Sequence, residues 1–182
     1  MDHKADAEII ARILKGDKQS YALLVEEYKG PVFNLAYRMT GSREDADDLT
    51  QETFIRAYQK LHRFDQSKKF FTWLYTIGIN LVRNHLKKNL RDVSHLAVAD
   101  SALEHQTSGE GRGESYVISD DRMLRLEKII QQLPLDLREA VILKFMQDLT
   151  FEEVANVTGE SVSAVKMRIY RGLEKIKEIL GK

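Results

Sequence analysis

Two groups of cations stand out in this sequence, and both are of the kind that meets nucleic acid. From Val162 to Lys182 there are six basic residues and two acidic ones. Apolar Val162, Val165 and Ile169 recur there at helical spacing, which leaves Ser163, Lys166, Met167, Tyr170 and Arg171 on the outward face. Lysine and arginine in such places neutralise phosphates or read guanine edges. Just upstream, Thr150 and Glu153 have capping-box spacing, and Val154-Ala155 suits a close helix crossing. Thr158-Gly159-Glu160-Ser161 then supplies a turn, with Gly159 suited to positive φ. This is a helix-turn-helix layout, whose second helix enters the major groove. The same pattern also suits a small helical bundle with a solvated charged face.

The second group mixes cations with rings. Phe64, Phe70, Phe71, Trp73 and Tyr75 lie close to Arg63, Lys68 and Lys69, and Arg83, Asn84, Lys87 and Lys88 follow. Bases stack on rings and phosphates pair with cations, so this is the composition of a single-stranded nucleic-acid platform. The alternative is that the rings are core. Trp73 and Phe71 fit an apolar helical stripe and are expected inside. Phe64 and Phe70, beside a polar break, are the better candidates for exposure.

A third cluster is acidic. Glu44, Asp45, Asp47 and Asp48 crowd the start of a helix, where the helix dipole favours acids. Gln51, Glu52 and Ile55 extend that face into a patch that could dock a partner, though a well-capped solvated helix explains it equally. Enzyme signatures are missing: there is no HExxH, no phosphate loop and no Gly-x-Ser-x-Gly. His3, His62, His85, His95 and His105 lack metal-ligand spacing, and no cofactor is expected. Asn156-Val157-Thr158 matches a glycosylation sequon but falls inside the expected helix-turn-helix.

The elements that must position these groups are helices. Only Pro31 and Pro134 interrupt long runs of helix formers, and the alternation of strands is missing, so the reading is all-α. Helices are expected over 7–15, 20–29, 32–39, 45–61 and 70–88, with Gly30-Pro31 breaking the chain and Ser42 as an N-cap. Ala46, Leu49, Thr53, Ala57 and Leu61 share one side of the fourth. Residues 90–121 are rich in Ser, Gly, Asp and Glu without periodicity, which reads as a flexible linker. Further helices are expected at 121–133, 136–146, 151–157 and 162–180, with a turn at Gln147-Asp148-Leu149. The chain of 182 residues therefore divides into a domain at 1–89, an acidic linker at 90–121 and a domain at 122–182.

Charge follows the same division. The whole chain is neutral, with 28 basic and 28 acidic residues, which excludes nucleic-acid binding by bulk charge alone. The three segments carry net +3, −5 and +2. There is no cysteine, which removes disulfides and thiolate chemistry and fits a reducing cytoplasm. No run reaches the length of a spanning helix, and Met1-Asp2-His3-Lys4-Ala5-Asp6 is unlike a signal peptide, so a cytoplasmic protein without membrane insertion is expected.

Taken together, four stretches resemble the extracytoplasmic-function sigma factors of bacterial RNA polymerase. Asp45-Ala46-Asp47-Asp48-Leu49-Thr50-Gln51-Glu52-Thr53-Phe54-Ile55-Arg56-Ala57-Tyr58 is similar to the family's polymerase-binding helix. Phe64-Asp65 through Phe70-Phe71-Thr72-Trp73-Leu74-Tyr75-Thr76-Ile77-Gly78-Ile79-Asn80 resembles its promoter-melting and minus-ten-reading segment. Leu133-Pro134-Leu135-Asp136-Leu137-Arg138-Glu139-Ala140 resembles the opening of its C-terminal domain. Leu149 to Ala155 with Val165 to Gly172 resembles its helix-turn-helix. Ser161-Val162-Ser163-Ala164-Val165 departs from the family's usual Pro-x-Gly-Thr-Val, and Met167 replaces a small hydroxyl residue.

The resemblance implies roles. Asp45, Asp48, Gln51, Glu52 and Ile55 would bind the clamp helices of the polymerase's largest subunit, and the C-terminal domain the flap of the second largest. Phe64 and the loop Ser67, Lys68, Lys69, Phe70 and Phe71 would capture a flipped minus-ten base. Asn80, Arg83, Asn84 and Lys87 would contact the non-template strand or nearby duplex. Ser163, Lys166, Met167, Tyr170 and Arg171 would read the minus-thirty-five element, with Arg168 on phosphate. The linker's negative charge could imitate nucleic acid in the RNA exit path. Promoter DNA and core polymerase are the implied partners, with an anti-sigma factor, often membrane-anchored, as regulator. The rival readings are an autonomous helix-turn-helix regulator with an N-terminal sensor or dimerisation domain, and a protein-binding helical adaptor.

Overall fold

Leu24, Tyr28, Val32, Leu35, Ala36 and Met39 repeat every three or four residues and are all buried. They form one stripe, and one stripe needs one helix. The computed structural model, which describes residues 3–97 and 121–181, accordingly shows a single helix α2 from Tyr21 to Thr40, running straight through Pro31. The break expected at Gly30-Pro31 is absent. Gly30 has no Cβ to clash with the proline ring, the contact that usually drives the preceding residue out of helical conformation. Burial of the stripe, about 1.5–3 kcal/mol for each large side chain, outweighs the hydrogen bond that proline cannot donate.

Three helices surround α2. Helix α1 (His3–Leu14) inserts Ile10 and Ile13, and the Tyr28 hydroxyl donates to buried Asp6 at 2.5 Å. Helix α3 (Arg43–Lys60) begins on Ser42, whose Oγ accepts from Asp45 N as expected. It buries Ala46, Leu49, Thr53, Phe54 and Ala57, and Leu61 follows in a short 3-10 turn. Helix α4 (Phe70–Ala97) continues nine residues past the expected end at Lys88, into the segment read as linker. The rest of that segment, residues 98–120, lies outside the described residues.

The second half is built from α5 (Asp121–Gln131), α6 (Leu135–Val141), α7 (Phe151–Thr158) and α8 (Val162–Leu180). The helix expected over 136–146 is α-helical only to Val141 and then widens into a π turn over Ile142–Met146. That turn keeps consecutive Ile142 and Leu143 fully buried, and just beyond it Asp148, with φ of 53°, reverses the chain. Thr150 and Glu153 form the complete capping box of α7. Gly159 closes α7 with φ 74°, and Ser161 caps α8. Val154, Ala155, Val157, Val165 and Ile169 form the core where α7 crosses α8. Over the described residues the structure is all-α, with eight α-helices.

The two halves lie against each other, and their buried apolar residues form one cluster. Helix α4 packs on α7, and α2 packs on α5 and α6.

Candidate nucleic-acid interface

Helix α3 presents the acidic patch as its spacing requires. Asp48 and Gln51 are exposed, Asp45 and Glu52 half-buried, and Ile55 is 51% exposed. Asp45 Oδ2 lies 3.3 Å from His85 Nε2 of α4, and Glu52 accepts from Arg56 Nε at 2.6 Å. Exposed Tyr58 extends the apolar part of this face.

The aromatic cluster is inverted relative to expectation. Phe64 and Phe70, expected outside, are 8% and 1% exposed. Phe70 meets Tyr28 edge-on at 5.4 Å and Phe64 at 5.6 Å, and Phe64 lies 5.1 Å from Trp73. The two rings anchor both ends of the intervening loop in the bundle, which removes them as stacking surfaces in this conformation. Phe71 and Trp73, expected inside, are only half-buried. Packing decides this: the residues bounding the break must pin it, while the next turn of α4 is left near the surface.

Between the anchors, Ser67 N and Oγ bond Asp65 Oδ1 at 3.0 and 2.7 Å. The Ser67 hydrogen bonds hold the Asp65 carboxyl below its usual range. This turn leaves Ser67 and Lys68 exposed. Along α4, Asn80, Asn84 and Lys87 are exposed at one-turn spacing. Asn80 and Asn84 line a shallow groove of about 250 Å³ with Arg56, Lys60, Trp73 and Thr76. Two cations, two amides and a ring edge in one groove suit a nucleic-acid strand. Arg56, Lys60, Trp73 and Thr76 were not singled out from the sequence as strand contacts. Arg56 and Lys60 stand four apart on α3, but nothing in one dimension shows that they flank α4.

Arg83 and Lys69 are not free. Arg83 Nε and Nη2 donate to both oxygens of Glu139 at 2.8 and 2.5 Å, and Glu139 is 3% exposed. Burial pushes the Glu139 carboxyl above the usual glutamate range, and the bonds and charge of Arg83 oppose this only in part. Lys69 Nζ donates to Glu153 Oε1 at 2.6 Å. Burial is the largest influence on Glu153 and raises its pKa, but the bonds from Lys69 and the Thr150 backbone together bring it below the usual range. Tyr75 Oη donates to Gln147 Oε1 at 2.8 Å. A second seam lies at the end of α2. There Gln131 Nε2 donates to Arg38 O at 2.6 Å and Arg138 Nη1 to Met39 O at 2.7 Å.

On α8 the expected outward set is outward. Ser163, Lys166 and Arg171 are exposed, and Met167 and Tyr170 are 53% and 60% exposed. Lys166 Nζ lies over the Phe151 ring at 5.4 Å. Arg168 is half-buried and pairs with Glu160, with Asp136 at 3.9 Å. Among the described residues no cluster of acids and histidines could hold a metal, and no helix is long and apolar enough to cross a membrane.

Comparison with known proteins matches both halves. Residues 24–92 fit the family model for sigma-70 region 2, and residues 123–176 fit that for sigma-70 region 4. The first match covers the part that a regulator's sensor domain would occupy. The chain is 34% identical to the ECF RNA polymerase sigma factor SigW of Bacillus subtilis, over 94% of each chain. It is 32% identical to the RNA polymerase sigma-H factor of Pseudomonas aeruginosa, over 99% of this chain and 96% of the other. Among solved structures it resembles CnrH, seen in complex with the cytosolic domain of CnrY. The TM-score is 0.71 at 27% identity, over 97% of each chain. The fold also matches RpoE of Bartonella quintana, with TM-score 0.72 at 21% identity over 90% of this chain and 98% of that one.

Proposed function

Because this chain belongs to the extracytoplasmic-function sigma factors of bacterial RNA polymerase, we propose how it divides promoter recognition among its faces. The family directs core polymerase to promoters and initiates transcription, which sets the autonomous-regulator reading aside. The α3 face of Asp45, Asp48, Gln51, Glu52 and Ile55 grips the clamp helices. The groove between α3 and α4, with Asn80, Asn84, Lys87 and the Ser67–Lys69 loop, holds the minus-ten strand. Ser163, Lys166, Met167, Tyr170 and Arg171 read the minus-thirty-five element. The observation that carries this reading is the exposure of three chemically different faces: acidic-apolar, amide-cationic and basic.

The energetics fit the division. Opening a duplex costs a few kcal/mol per unstacked step. Stacking on side chains returns about 1–3 kcal/mol per base. A neutral chain gains little from bulk attraction, so core polymerase supplies the missing affinity by holding two weak modules together. Control by an anti-sigma factor with a cytosolic sigma-binding domain and a membrane anchor completes the reading. The solved complex of CnrH with a cytosolic domain supports it by analogy.

Run-off transcription with core polymerase on genomic DNA tests the whole. Discrete transcripts that require both components are expected. Lys166→Ala combined with Arg171→Ala should abolish minus-thirty-five recognition while leaving co-elution with core unchanged. An unchanged promoter preference in that double variant would overturn the α8 assignment.

A further inference from the structure

An exposed methionine in the middle of a cationic face has no electrostatic reason to be there. Met167 lies in the second turn of α8 and is 53% exposed, with Tyr170 three residues on at 60%. Residues three apart are neighbours on a helix, so the two side chains share one patch. Projected along α8 at 3.6 residues per turn, both fall between Lys166 and Arg171, which are exposed.

The polar groups near Met167 are drawn to other partners. Ser163 Oγ lies 3.0 Å from the Ser161 hydroxyl that caps the helix. Lys166 Nζ lies over the Phe151 ring, and Arg168 turns back to Glu160. A thioether beside a phenol ring is left at the centre of the face.

The flanking cations suit the phosphates of a duplex, and the early turns of the second helix of a helix-turn-helix reach base edges in the major groove. There guanine presents two acceptors, adenine an acceptor and a donor, and cytosine a donor. Thymine alone presents a methyl group. Methionine has no donor, and its sulfur is a weak acceptor. Against guanine it would strip water from N7 and O6 and return no hydrogen bond. Against thymine it buries apolar surface on apolar surface.

We propose that Met167, walled by Tyr170, is a specificity-determining residue that takes the C5 methyl group of a thymine in the minus-thirty-five element. This deepens the assignment of α8 to that element and rests on it. Lys166 and Arg171 place the helix and read polar edges, and Met167 adds a requirement that hydrogen bonding cannot supply.

The test removes only that methyl. A promoter found by run-off transcription supplies the duplex. Each thymine of its minus-thirty-five element, on either strand, is replaced singly by deoxyuridine, which keeps every hydrogen-bonding group. Core polymerase carrying the full chain is then competed between substituted and unsubstituted promoter. One position should lose about fourfold in affinity, the worth of one buried methyl. Met167→Ser should abolish the loss at that position, and Met167→Leu, which keeps an apolar tip, should retain it. Because the uracil series uses the unaltered protein, folding of a variant does not enter the first reading.

An element without thymine overturns the proposal, as does a series in which no uracil weakens binding. A loss that persists in Met167→Ser overturns it too, since the methyl is then felt elsewhere. Lys166→Ala with Arg171→Ala separates the two levels of the argument. If that double variant keeps the promoter preference, the α8 assignment fails and the methyl contact falls with it. If it loses the preference while the uracil series stays flat, the assignment stands and the role of Met167 alone is refuted.

Discussion

Gly172 is where α8 is seated against α6. A Cβ placed there would lie 2.6 Å from Val141 Cγ2, with Leu137 O at 3.6 Å and Leu137 Cβ at 3.8 Å. The last two are ordinary contacts, so Val141 alone obstructs. Its methyl would have to retreat about 1 Å, yet Val141 is buried and valine is stiff about χ1. Overpacking of this kind costs about 1–3 kcal/mol. Against it, Gly→Ala inside a helix gains about 1 kcal/mol. Gly172→Ala should therefore destabilise by about 1 kcal/mol net, lowering Tm by about 2–4 °C for a chain of this size. In a Val141→Ala background the obstruction is gone and only the helix gain remains. There the same substitution should stabilise by about 1 kcal/mol, a coupling of about 2 kcal/mol. Thermal melts of the four proteins by far-UV circular dichroism measure this. A Gly172→Ala effect of the same sign in both backgrounds would refute the argument that Val141 dictates the glycine.

Further expectations concern the caps and the seam. Thr150→Ala deletes one arm of the α7 capping box and should cost about 1 kcal/mol, read as a lower urea midpoint with unchanged m. Glu153 has a lowered pKa, so its contribution is present above the ordinary glutamate range and lost as pH falls through its folded value. Glu139 has a raised pKa, so its contribution is present below the ordinary range and lost as pH rises through its folded value. Urea midpoints between about pH 7 and about pH 4 should show Glu153→Gln flattening the acid-side loss. Glu139→Gln should gain relative to wild type as pH rises. Parallel profiles for all three proteins would contradict both signs.

Much of this was readable in one dimension because it is local. Ser42 and Thr150 lie three residues from the amides they cap, and α8 begins and ends where its apolar period and its cap place it. The burial of Val165 and Ile169, and the exposure of Lys166, Met167 and Tyr170, follow from 3.6 residues per turn. What escaped depends on partners distant in sequence. Pro31 reads as a breaker until the stripe it interrupts is seen to face a single core. Phe64 and Phe70 flank a polar loop, and only Tyr28 and Trp73 show that they anchor it. Arg83 with Glu139 and Lys69 with Glu153 join residues 56 and 84 positions apart. No periodicity links them. The π turn escaped because nothing in the local sequence marks where the helix widens, although every residue from Glu139 to Leu143 is buried.

The end of α2 has a consequence of its own. A helix leaves its final carbonyls without partners along the chain, and its terminus carries partial negative charge. Here Gly41 N takes the Tyr37 carbonyl, while those of Arg38 and Met39 are taken by Gln131 and Arg138. The helix that organises the N-terminal bundle is thus capped by the other half, in part by a guanidinium. The acceptors are main-chain atoms, which any residue at 38 or 39 would supply. The side chains at those positions are committed elsewhere, Met39 to the core and Arg38 towards Glu127 of α5 at 3.8 Å, so the main-chain contacts of the junction rest on Gln131 and Arg138. The junction is also reported at a distance from any DNA contact. The amides of the last turn of α2 therefore report on the contact between the two halves.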